Sequence, residues 1–234
     1  MKTRNLWMAG PILLAVVPGL LPASFAHAQT ASNSRMAPLE QYQMARDAEI
    51  AMARTAAPEA ISRDAEILVL GRTGFEVAVK GKNGFVCMVT RSFAAGTEDP
   101  EFWNPKLRGP MCLNAEAVRS FLPHIMKKAE WVLAGLSKEQ IAEHIKTALA
   151  GKEFPDYGPG VMCYMMSKEA YLSDSNPHWH PHLMFFVPAT DPAAWGANLP
   201  GSPVVAATDV PEKYTIFMVL VSQWSDGTAG PPVK

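Results

Sequence analysis

Hydrophobic and polar positions change period several times along this chain, and each change marks an element. Residues 65–70 (AEILVL) and 75–80 (FEVAVK) are β-rich runs around a Gly-bounded turn, and Phe75, Val77 and Val79 alternate with tolerant positions. Gly81-Lys82-Asn83-Gly84 supplies a second turn, with residues that tolerate positive φ, and 85–91 reads as the third strand of a meander. From Asn114 the period becomes helical: Val118, Leu122, Ile125, Ala129 and Val132 form one stripe, and Pro123 should kink or restart that helix. Asn114 is placed to cap it. Ser137-Lys138-Glu139-Gln140 fits a capping box for a second helix, whose apolar face is Ile141, Ile145, Ala148 and Leu149. His124 and His144 fall off these stripes and read as exposed. The last third is strand-rich again at 160–166, 182–187 and 214–221.

A further helix is expected over 38–55, where Pro38 suits a first turn and no Gly intervenes. The order is helix, three strands, two helices, three strands. Strands grouped around helices, instead of alternating with them, point to an α+β domain: an antiparallel sheet of five or six strands with helices on one face. Residues 92–113 and 188–211 are dense in Gly and Pro and read as loops. The first is long enough to suggest a lid or binding loop, which makes Trp103 and Asn104 pocket candidates.

The extreme N-terminus changes the setting. Lys2 and Arg4 precede an apolar stretch over 6–21, and Ala26-His27-Ala28 has the small-x-small pattern of a cleavage site. Pro11, Pro18 and two glycines interrupt the stretch, so a cleaved signal over 1–28 is expected and a stable membrane anchor is not. Residues 29–57 then form a linker and the N-terminal helix, 58–224 a single domain, and 225–234 a flexible tail. Export by the general secretory route would place the protein in the periplasm or outside the cell.

Removing residues 1–28 leaves 206 residues with 19 basic and 22 acidic side chains and no block of like charge, which disfavours nucleic acid as a partner. Three cysteines remain, Cys87, Cys112 and Cys163, all among apolar neighbours. An odd number cannot pair completely. One bridge plus one buried thiol, or three buried thiols, fits an oxidising compartment.

The chemistry concentrates in one stretch, 176–188 (NPHWHPHLMFFVP), which holds three of the chain's six histidines within five positions. On an extended strand, residues two apart share a face with Cα atoms about 6.6 Å apart. His178, His180 and His182 would then converge as an H-x-H-x-H metal site, suited to zinc, copper, iron or nickel. Pro177 and Pro181 oppose this, because in a polyproline winding residues two apart diverge and only two of the three imidazoles meet. Asp174, Glu169 and Cys163 are the candidates for a third ligand or an outer partner, and Trp179 for a pocket wall. Met162, Met165 and Met166 flank Cys163, and thioethers select copper over hard ions.

H-E-x-x-H and H-x-H-x-D-H are absent, as is the G-x-S-x-G elbow, so no common hydrolase or oxygenase signature is matched. Three readings stand: an exported transition-metal-binding protein, with or without enzymatic activity; a non-catalytic exported module for a small molecule or a protein, its histidines structural; and a metal-free hydrolase with an imidazole base.

Overall fold

A computed structural model of the protein describes residues 35–173 and 180–232. The expected signal segment, Asp174, His178 and Trp179 therefore lie outside the described residues. One sheet organises the rest, built from β1 (Glu66–Leu70), β2 (Phe75–Val79), β3 (Val86–Thr90), β4 (Gly109–Leu113), β5 (Met162–Met165), β6 (His182–Pro188), β7 (Val204–Asp209) and β8 (Tyr214–Leu220). Its order is β2-β1-β3-β4-β5-β6-β8-β7.

The expectation of a five- or six-stranded antiparallel sheet is corrected: the sheet has eight strands and is mixed, because β1 and β3 run parallel. The class is still broadly α+β. The six expected strands form, and β4 and β7 arise in the two segments read as loops. Gly109-Pro110 hides β4, although Pro110 sits in register opposite Val89. β7 lies at the sheet edge, and Asn198 stands in for a missing neighbour: its side chain donates to the Ala206 carbonyl (2.8 Å) and accepts from the Ala206 amide (2.9 Å).

The parallel pair has a local cause. The chain does not turn back at Asn83-Gly84. It passes the start of β1, where the Lys82 amide donates to Asp64 O (2.9 Å), the Asn83 amide group to Ile61 O (2.8 Å) and the Glu66 amide to Phe85 O (2.9 Å). These bonds satisfy the crossing backbone and carry β3 to the far side of β1.

Helices cover both faces, not one. α1 (Arg46–Arg54) and the single turn α2 (Glu59–Ser62) lie on the face of Ile67, Cys87, Val89 and Cys112. The face of Leu68, Met88, Leu113 and Cys163 packs against α3 (Ala115–Ser120), α4 (Leu122–Leu133) and α5 (Lys138–Ala150). The helix expected over 38–55 is shorter than its pattern. Tyr42 enters the second core, its hydroxyl donating to Trp103 O at 2.8 Å, and Ala45 is extended, so α1 begins only at Arg46. Asn114 caps α3 by accepting from the Ala117 amide, and Ser137 with Gln140 closes a capping box on α5.

Cys87 and Cys112, directly opposite on β3 and β4, form a disulfide; Cys163 is a buried thiol. The bridge ties off the segment between β3 and β4. That segment roofs the cavity described next.

Candidate functional site

Between the face of the sheet that packs against α3–α5 and residues 92–107 lies a cavity of about 730 Å³. That is within the usual size of a small-ligand site. Met111 on β4, Met165 on β5, His182 and Met184 on β6, and Ile216 and Met218 on β8 form its floor. Phe121 and Ile125 form one wall, Ala94–Asp99 with Glu101 the roof, and Ala207–Pro211 with Tyr214 the opposite lip. The long segment after β3 is thus a binding-loop candidate, though not through the residues expected of it. Trp103 is buried at 3% exposure, edge-on to Phe102, beside a separate, smaller hollow. Asn104 donates to Glu101 Oε2 at 2.7 Å. Neither side chain lines the main cavity.

The cavity carries a negative bias. Its charged lining is Arg91, Glu98, Asp99, Glu101 and Asp209. Arg91 is fully buried and its guanidinium is already committed: Nη2 to Glu49 Oε1 (2.8 Å), Nε to Tyr42 O (2.6 Å) and Nη1 to Val89 O. Burial lowers its pKa, and Glu49 works against that. Four carboxylate residues therefore belong to the lining, and its one guanidinium, Arg91, is committed to Glu49. Ser92, 1% exposed, also lines the cavity, and its Oγ has no hydrogen-bond partner among the described residues.

His182 opens β6 at 6% exposure and lies on the floor. Its Nδ1 is 2.7 Å from the His180 carbonyl, which can only accept, so Nδ1 carries the proton and Nε2 the lone pair. Burial holds the imidazole below the usual histidine pKa, and the bond to the His180 carbonyl works against that. Among the described residues His180 Nδ1 is buried with no hydrogen-bond partner. Of the three expected ligands, His182 lines the cavity, His180 precedes it by two residues without being part of the lining, and His178 lies outside the described residues.

Among the described residues no group of three or more His, Cys, Asp or Glu is close enough to hold an ion. Glu169 is exposed, and its amide donates to Ser167 Oγ (3.1 Å). Cys163 pairs in register with Met184 beside the floor, and burial pushes its thiol well up, so it stays protonated.

A second polar centre stands behind the lip, and sequence reasoning missed it. His124 is not exposed, as its helical position suggested, but 4% exposed. It stacks on Phe154 at 3.9 Å between centroids, and the Tyr157 hydroxyl lies 3.3 Å from its Nε2. Lys128, one turn on, is buried against Glu212, and its Nζ donates to Ala95 O at 3.1 Å. Partners from distant loops bury this polar face of α4. Only charge spacing on the helix hinted at it.

Burial, reinforced by the Lys128 cation, pushes His124 down to about 4. The unfolded chain would protonate His124 near 6.5, so its neutral burial favours the fold fully above that pH, and the benefit is lost as pH falls towards 4, by up to about 3 kcal/mol. Glu212, raised by burial, works in the opposite direction. Unfolding free energies of the wild type and His124→Phe isolate the histidine. From pH 7 to 4.5 the wild type should lose about 2 kcal/mol relative to the variant; a pH-independent difference would contradict a neutral His124. No protein-family model matches the chain, and neither does any curated protein or solved structure.

Proposed function

We propose that this is an exported transition-metal-binding protein whose ion sits at the His180–His182 end of the cavity. The observation that carries the reading is the His180 ring: among the described residues its Nδ1 is buried without a partner, beside a His182 whose tautomer is fixed by the His180 carbonyl. A buried, unsatisfied polar atom costs about 1–3 kcal/mol, which coordination would offset. Metal-bound histidines characteristically donate their other ring nitrogen to a carbonyl or carboxylate, as His182 does. The basic-then-apolar N-terminus and the Cys87–Cys112 bridge support export to the periplasm or beyond, since such bridges persist in oxidising compartments.

The size and apolar floor of the cavity support a second reading, a binding module for a small apolar molecule with a cationic group that meets the four carboxylates. Elemental analysis of untagged protein and of His180→Ala separates the two. The metal reading expects near-stoichiometric metal in the wild type and a loss of about tenfold or more in affinity in the variant. Equal, negligible metal in both would leave the small-molecule reading.

A further inference from the structure

We propose that the ion is monovalent copper, held by the thioethers of Met165 and Met184 together with the His182 imidazole, in addition to the His180 ring of the metal reading. This rests on the metal reading above and adds the ligand set and the oxidation state.

The register brings these groups together. Met165 on β5 is directly opposite His182 on β6, and Met184 follows two residues along β6 on the same face. Directly opposed residues have Cβ atoms about 4.5–5.5 Å apart, and diagonal ones about 7–8 Å. Methionine spans the remainder with three rotatable bonds. All three side chains line the cavity, and Met218 is opposite Met184 at the next position across the sheet. Met165 belongs to the buried apolar core and Met184 packs against it, and both also line the cavity. Four of the chain's 13 methionines lie on this one floor, Met111 being the fourth.

Ligand softness and charge select the ion. Thioether sulfur is a soft, neutral donor that prefers Cu(I) to zinc or to hard cations. An imidazole that coordinates through a ring lone pair is neutral as well, so such ligands would leave the full ionic charge in a largely buried place. That cost rises steeply with charge, which favours a monovalent ion over a divalent one. The carboxylates that would suit a harder ion, Glu98, Asp99, Glu101 and Asp209, belong to the roof and lip. There they raise the local cation concentration without binding to the floor.

The probe is Ag(I), an air-stable monovalent d10 ion, added to untagged full-length protein carrying methyl-13C methionine, with Zn(II) in parallel. The expected result is a shift of the Met165 and Met184 methyl resonances, complete at stoichiometric Ag(I) and absent with Zn(II). Met165→Leu and Met184→Leu, which supply the assignments, should each weaken Ag(I) binding about tenfold or more. Ions bound with no methionine methyl shift, including silver captured by Cys163, would overturn the thioether site and leave an imidazole-held metal standing. No ion bound at all would remove both. Movement of methionine methyls with Ag(I) and not with Zn(II) is read on the wild type, and the variants serve to assign the methyls that move.

Discussion

Arg91→Met is expected to destabilise the fold by about 3–5 kcal/mol, because it removes one partner of a buried ion pair. Glu49, 1% exposed, accepts from Arg91 Nη2 at 2.8 Å and from the Leu70 amide at 3.1 Å. Methionine approximates the volume of the arginine stem but leaves that carboxylate unpaired in the core, and leaves the Tyr42 and Val89 carbonyls without their donor. In a chain of this size the loss corresponds to a drop in Tm of roughly 10 °C. Urea unfolding of Arg91→Met, Glu49→Gln and the double variant provides the check. The double variant should recover part of the loss, since it no longer buries an unpaired charge. A single variant within about 1 kcal/mol of wild type would show that this pair does not hold α1 to the sheet.

Gly81→Ala is expected to cost more than about 3 kcal/mol or to prevent folding, as an overpacked site with no room to relax. A Cβ on Gly81 would lie 2.1 Å from Glu66 N and 2.7 Å from Ala65 C, both backbone atoms at the start of β1. No rotamer relieves such a contact. The crossing that places β3 parallel to β1 passes through this point, so the substitution pushes the crossing segment away from β1. Gly135→Ala is the control: φ there is +84° but a Cβ meets nothing within 4 Å, and the cost should stay near the 1–2 kcal/mol of a left-handed alanine. Thermal unfolding of both variants makes the comparison, and equal losses would contradict the close approach.

The elements most readily read from the sequence were those whose signal is local. Asn114 and the Ser137–Gln140 box marked their helix starts, and the runs around Ile67, Val77, Phe186 and Phe217 became strands. What escaped depended on distant partners. Gly109-Pro110 reads as a break until Val89 is set against it, and Asn83-Gly84 reads as a hairpin turn until Ile61 and Asp64 claim its hydrogen bonds. His124 and Lys128 look solvated until Phe154, Tyr157 and Glu212 fold over them. The site divides in the same way. The histidine run is conspicuous in the sequence, whereas Met111, Met165, Met184 and Met218 become neighbours only through the pairing of four strands.

X-ray absorption at the copper edge, on untagged protein reconstituted with Cu(I) under ascorbate and then desalted, tests most directly whether a metal ion sits at the histidine end of the cavity. Retained copper with imidazole nitrogen and sulfur in its first shell is the predicted result. Copper lost on desalting, or held by oxygen alone, would contradict it.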